Sequence, residues 1–152
     1  MDLKELIEQY LPTINVMQLA TSRDNRPYAV NIHFYSDGLN IYWISTEARR
    51  HSEELKLNPK ACAALKIHEN TEEEDWVVGL SLEGEAMVVD VNDLDPSVVE
   101  GFIAKLNTAP TLKEDIASGK NPHKFYVLKP TKATLFDNKT FPENPRQELN
   151  LS

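Results

Sequence analysis

Residues 16–45, VMQLATSRDNRPYAVNIHFYSDGLNIYWIS, decide the fold. Residues 16–21 and 27–35 are rich in β-branched and aromatic side chains, and the five residues between them include Asp24 and Asn25, which tolerate the left-handed backbone of a tight turn. That pattern predicts a β-hairpin. A second turn at Ser36-Asp37-Gly38 leads into residues 39–45, where Leu39, Ile41 and Trp43 alternate with Tyr42 and Ile44. Three strands therefore meander antiparallel. Working outward, Leu3, Leu6, Ile7, Tyr10 and Leu11 recur at helical spacing behind Asp2, a good N-cap, and Pro12 ends the run. Residues 46–59 hold good helix formers and close on Asn58-Pro59, predicting a helix of about two to three turns.

Downstream, residues 61–68 and 77–91 are further strands, with Gly79 and Gly84 placed for bulges or close backbone approach. The acidic residues 70–76 between them are expected to form a solvated loop. Asp95-Pro96 opens a helix with Val98, Val99, Phe102, Ile103 and Leu106 on one stripe, and residues 111–118 a shorter one before Gly119. Two short strands, 123–129 and 132–136, split by Pro130, are expected to complete the sheet, and residues 137–152 to form an irregular tail. Strands joined mainly by short turns predict a single mainly β domain over residues 1–152, a barrel with peripheral helices.

Composition narrows the function. The 152 residues carry 16 basic against 24 acidic side chains, a formal net charge of −8 that repels nucleic-acid phosphates and anionic lipid heads. One cysteine, Cys62, excludes a disulfide framework and fits a reducing cytoplasm. The first residues are acidic and amphipathic where a secretory signal is basic and then apolar, so no export or membrane association is expected. Five glycines are too few and too scattered for a GxGxxG turn or a phosphate-binding P-loop. The four histidines lie far apart without metal-ligand spacing, so no metal is expected. Gly79-Leu80-Ser81-Leu82-Glu83 departs from GxSxG at its last position and sits within a strand, against a serine hydrolase.

One segment remains informative. Residues 41–52, IYWISTEARRHS, put Arg49, Arg50 and His51 at the start of a helix, where the macrodipole disfavours cations unless an anion offsets them. Guanidinium forks beside free backbone N–H groups cradle a phosphate. The competing reading is that Glu47, Glu53 and Glu54 pair with these bases on an exposed helix.

The ordered set MQLATSRDNRPYAVNIHFY, DGLNIYWISTEARRHSEELKLNPKACAAL and LEGEAMVV, within residues 14–91, resembles the FMN-binding split-barrel family related to pyridoxamine 5′-phosphate oxidase. The resemblance implies a six-stranded antiparallel split barrel and a homodimer with FMN in clefts at the subunit interface. It places Val30, Asn31 and Ile32 along the flavin edge, with Trp43, Ile44 and Ser45 at the end of the next strand. Arg49, Arg50 and His51 then take the phosphate end. The family's oxidases carry arginine at the position of Val30, serine at Ala48 and glutamine at Gly79, and a substrate-handling segment with no counterpart after Phe136. The implied function is a flavin-dependent oxidoreductase acting on a small molecule, distinct from pyridoxamine 5′-phosphate oxidase itself. The alternatives are a non-catalytic FMN-binding or stress-response protein, or a split barrel that holds deazaflavin or haem. No catalytic side chain is singled out. The aromatics Phe34, Tyr35, Tyr42 and Trp43 are expected to form a surface patch that the homodimer covers.

Overall fold

The computed structural model describes residues 1–152. Eight strands alternate with four α-helices: α1 (Leu3–Tyr10), β1 (Val16–Arg23), β2 (Arg26–His33), β3 (Tyr35–Asp37), β4 (Asn40–Ser45), α2 (Arg50–Leu57), β5 (Lys60–His68), β6 (Val78–Val89), α3 (Pro96–Leu106), α4 (Leu112–Ser118), β7 (Lys124–Asp137) and β8 (Arg146–Asn150). All pairings are antiparallel, in the order β2-β1-β5-β6-β7-β4-β3, with β8 on the far half of β7. Only Phe34 separates β2 from β3, so the two ends of this sheet are consecutive in the chain and the sheet curls into a split barrel. No helix is long and apolar enough to cross a membrane.

Local chemistry explains most boundaries. Asp2 accepts from the Glu5 amide at 2.8 Å while Glu5 accepts from the Asp2 amide, a reciprocal box that satisfies two amides at the start of α1. Asp24 and Asn25 both have positive φ, 52° and 60°, giving the two-residue turn that matches strand twist in the β1–β2 hairpin. Asp95 caps α3 through the Ser97 amide, with Pro96 in the first turn where its missing N–H costs nothing. Asn58, beyond α2, donates to the Ser22 carbonyl and hydroxyl, tying the helix end to β1.

Two expectations fail at the C-terminal end. β7 is one strand through Pro130 rather than two, because the register shifts there: Glu83 faces Lys132 and Gly84 faces Pro130, leaving Thr131 as an extra residue. A proline without an N–H is accommodated at such a bulge. The partner must be glycine, since a Cβ at Gly84 would overlap the Lys129 carbonyl and Pro130 Cα. Gly79 has no such constraint, as a Cβ there would meet the Leu65 carbonyl at an ordinary 3.8 Å. The residues after 137 are not irregular throughout, for β8 pairs with residues 132–136.

Side-chain alternation sorts the core into two. Met17, Leu19, Ile41, Leu82 and Leu135 fill the barrel with Trp43, which stacks on Tyr126 at 5.8 Å. On the outer face of β4 and β7, Tyr42, Phe125 and Val127 meet Val98, Val99 and Phe102 of α3. The expected aromatic surface patch is therefore absent: Phe34 and Trp43 are 0% exposed and Tyr42 is 8% exposed. Tyr35 is half-buried against Gly101 of α3, where a Cβ would strike its ring. These rings are consumed by the chain's own two cores and give no support to a dimer.

Candidate functional site

The split lies between β2 and the end of β4, where no ladder joins the strands. β2 is paired only with β1, so its inward residues Tyr28, Val30 and Ile32 are half-buried at a free edge. Across from them stand Ile44 and Ser45 of β4, and the turn into α2 brings Ala48, Arg49, Arg50 and His51 alongside. Together with Asn31 these residues bound a cleft of about 490 Å³. Eight of the nine expected site residues line it: Val30, Asn31 and Ile32 on one wall, Ile44 and Ser45 on the other, and Arg49, Arg50 and His51 at the helix start. Trp43 does not, because strand alternation turns it into the barrel core.

The two arginines differ. Arg50 Nε donates to Glu54 Oε2 at 3.0 Å, and its guanidinium lies over the Tyr28 ring at 4.2 Å. Glu54 is only 4% exposed and also accepts from Thr21 Oγ1 at 3.0 Å. Burial pushes the Glu54 carboxyl up, but the hydrogen bonds from Arg50 and Thr21 outweigh it, and its pKa ends below the ordinary value. Arg50 is thus a fork fixed from two sides, with the outer guanidinium nitrogens still available. Arg49 is exposed and stands at the N-cap of α2, which has no side-chain cap. Glu54 serves Arg50 and Glu47 serves Lys56, so Arg49 keeps its charge unpaired. Pairing by glutamates, the competing sequence reading, holds for Arg50 and fails for Arg49.

Beneath them, His51 is 7% exposed and its Nε2 lies 3.0 Å from Ser45 Oγ. Ser52 Oγ, fully buried, donates to the same Ser45 oxygen at 3.4 Å. Burial first, and the Arg49 charge second, push the His51 pKa down, so the imidazole is neutral at pH 7. This network holds the β4–α2 junction rigid. No carboxylate lines the cleft, which offers apolar walls at one end and cationic and amide donors at the other. Such a site suits a ligand with a flat apolar body and an anionic tail.

Tyr28 and Thr21 are not expected here, and Glu54 is expected only as a partner of the bases on an exposed helix. Tyr28 lies two residues before Val30 on one strand face, and that period of two is a signal for it. Thr21 and Glu54 meet only through the packing of α2 on β1 and leave no trace in sequence spacing. Of the positions where the oxidases differ, Val30 and Ala48 line the cleft. Gly79 lies elsewhere, on the outer face of β6 beside Phe136.

The family model described as pyridoxamine 5′-phosphate oxidase matches residues 3–137. No curated protein matches the chain. Among solved structures, a Clostridium acetobutylicum protein related to general stress protein 26, of the pyridoxinephosphate oxidase family, superposes with a TM-score of 0.62. It is 16% identical over 99% of this chain and 97% of that one. The FAD binding protein from Mycobacterium smegmatis gives 0.61 at 12% identity, covering 89% of this chain and 95% of that one. A heme binding protein from the same organism gives 0.73 at 15% identity, covering 99% of this chain and 58% of that one.

Proposed function

Because the chain belongs to the pyridoxamine 5′-phosphate oxidase family, we propose that it is an FMN-binding protein and a flavin-dependent oxidoreductase of small molecules. The observation that carries this reading is the polarity of the cleft: Val30, Ile32 and Ile44 at one end, and unpaired Arg49 with the uncapped start of α2 at the other. Val30, Ile32 and Ile44 suit the isoalloxazine ring, and the unpaired edge of β2 supplies backbone groups for its polar rim. Arg49, the free nitrogens of Arg50 and the first amides of α2 suit the phosphate. A bound flavin supplies the electron transfer, so the protein's own task is to orient it and limit water. The neutral His51 and Ser45 add hydrogen-bonding capacity at the cleft floor without adding charge. Valine at position 30, where the family's oxidases carry arginine, supports a substrate other than pyridoxamine 5′-phosphate.

A homodimer belongs to the same proposal, on different grounds from the aromatics. The outer face of β1, β5, β6 and β7 carries short side chains, among them Ala20, Cys62, Ala64 and Ser81, beside Phe136 at 41% exposure. Small side chains set among charges of both signs, Lys60, Lys66, Glu83 and Glu85, with one exposed ring, suit a self-complementary two-fold contact. Sedimentation at micromolar concentration is expected to give twice the chain mass, and a monomer with and without FMN refutes this part. The oxidoreductase reading is tested by stopped-flow reduction of the FMN-loaded protein with a nicotinamide donor, followed by multiple turnovers with an acceptor. Bound flavin that no donor reduces identifies a carrier instead.

A further inference from the structure

The floor of the cleft holds an imidazole with one nitrogen committed and the other left over. His51 Nε2 lies 3.0 Å from Ser45 Oγ, an oxygen with one proton to give and two lone pairs to fill. Ser45 gives that proton to the Thr46 carbonyl at 3.4 Å, and Ser52 Oγ donates into one lone pair at 3.4 Å. The remaining lone pair takes the hydrogen on Nε2, which fixes the tautomer of the neutral ring: Nε2 protonated, Nδ1 bare. Nδ1 makes no hydrogen bond within the protein and, in a residue that lines the cleft, stays in reach of solvent. Water donates readily to a bare nitrogen, whereas an anion placed beside it meets a lone pair. Only a second proton, on Nδ1, turns that repulsion into a charge-assisted hydrogen bond.

The charges around the ring point the same way. Arg49, two residues earlier, opposes a positive imidazole, and Glu54, held by Arg50 and Thr21, favours one. The other ionisable groups of the cleft are Arg50, engaged by Glu54, and the Tyr28 phenol. Glu47, in the turn before α2, is taken by Lys56, and Glu53 stands in the groove between α2 and the β1–β2 hairpin. Of the strands packed on α2, β1 offers Arg23, which pairs with Asp24, and β6 offers Glu83 and Glu85, which line a groove on the outer sheet face with Ala20 and Cys62. Burial and the uncompensated Arg49 therefore keep the ring neutral. An anion on Arg49 cancels that repulsion and adds an attraction of its own, so the balance tips toward imidazolium.

We propose that His51 makes the cleft a proton-coupled anion site: a phosphate seated on Arg49 enters together with a proton that settles on Nδ1. This rests on the flavin reading of the cleft and adds the regulation of that site by pH. Coupling is reciprocal, so through His51 a falling pH tightens the hold on the phosphate and a rising pH loosens it.

The test is titration calorimetry of the full-length protein with FMN and with riboflavin near neutral pH, each in two buffers of different ionisation enthalpy, on wild type and His51→Gln. The difference in apparent heat between the buffers counts the protons exchanged. The FMN phosphate, with a second pKa of about 6, releases its own fraction of a proton on meeting arginines, and His51→Gln reports that release alone. Wild type is expected to take up at least about half a proton more than His51→Gln when FMN binds, and none with riboflavin. Long-range proton–nitrogen NMR of the wild-type imidazoles is a second readout that needs no variant to fold. It should show His51 as the Nε2–H tautomer in the ligand-free protein, with a proton affinity that rises at least about tenfold when FMN is added. FMN bound tighter than riboflavin, with equal proton counts in the two proteins, overturns this inference and leaves the flavin reading standing. An Nδ1–H tautomer in the ligand-free protein overturns it too, as does equal proton uptake with riboflavin. If wild type binds neither flavin, both readings fall.

Discussion

The barrel has one seam that is closed and one that is open, and the two are built from opposite materials. Along β6 and β7 the ladder runs from Val78 opposite Asp137 to Val89 opposite Phe125, interrupted only at the Gly84–Pro130 bulge. Leu80, Leu82, Ala133 and Leu135 beneath it are all 3% exposed or less. Between β2 and β4 there is no ladder, the apolar side chains are half-buried, and the gap is lined by arginines and a buried histidine. Hydrogen bonding and burial are satisfied within the chain at the first seam and left incomplete at the second. On the proposed reading, the closed seam carries stability and the open one carries recognition. Substitutions at the two should be read out in different measurements.

The largest effect is expected at the closed seam. Gly84→Val forces a side chain into the backbone of Lys129 and Pro130, and should cost more than about 3 kcal/mol in chemical denaturation. A cost below about 1 kcal/mol would show that the bulge relaxes and that this seam is not the keystone. At the open seam, Arg49→Ala removes an exposed, unpaired cation. It should weaken FMN about 10- to 100-fold by titration, the worth of one or two hydrogen bonds to a charged group, and leave the melting temperature unchanged. Arg50→Ala is expected to blur the contrast, because it also strips Glu54 of its partner. The Arg50 side chain is 52% exposed, so the stability loss should be about 1–2 kcal/mol rather than that of a fully buried pair. A variant that loses affinity but no stability would mean that Glu54 finds water in place of Arg50.

The smallest effect concerns pH. The folded-state pKa of His51 lies below its unfolded value, so the unfolded chain binds the proton more readily. Its contribution to stability is fully present above the unfolded value of about 6.5 and is lost as pH falls through it toward the folded value. Denaturation midpoints measured between pH 7.5 and 5 should fall more steeply in wild type than in His51→Gln. Equal slopes would remove His51 as the source.

Much of the fold is legible in the sequence because its determinants are local. The Asp24-Asn25 turn, the Asp2 and Asp95 caps and the alternation of Leu39, Ile41 and Trp43 each act within a few residues of their own position. The continuity of β7 through Pro130 was not, because the glycine that accommodates it lies on β6, far back in the chain. Nor was β8, whose sequence RQELN alternates in charge without an apolar stripe and gains strand structure only from the free edge of β7. In the cleft, eight of the nine residues named from the sequence stand together, but their pairings are not legible in sequence order. Which arginine is free depends on Thr21 and Glu54 meeting across α2 and β1. Trp43 stands outside the cleft because its ring is fully buried in the barrel core, while Ile44 and Ser45 at the end of β4 line the opening.

The division of labour between the seams rests on the open one being an anion-tailed flavin site, and comparing FMN with riboflavin on the wild-type protein tests that most directly. The two share the ring and differ by the phosphate alone. Titration calorimetry is expected to show FMN bound at least about tenfold tighter than riboflavin, with the advantage shrinking as salt is raised because exposed Arg49 is screened. Equal affinity for the two, or an advantage indifferent to salt and to Arg49→Ala, would contradict it.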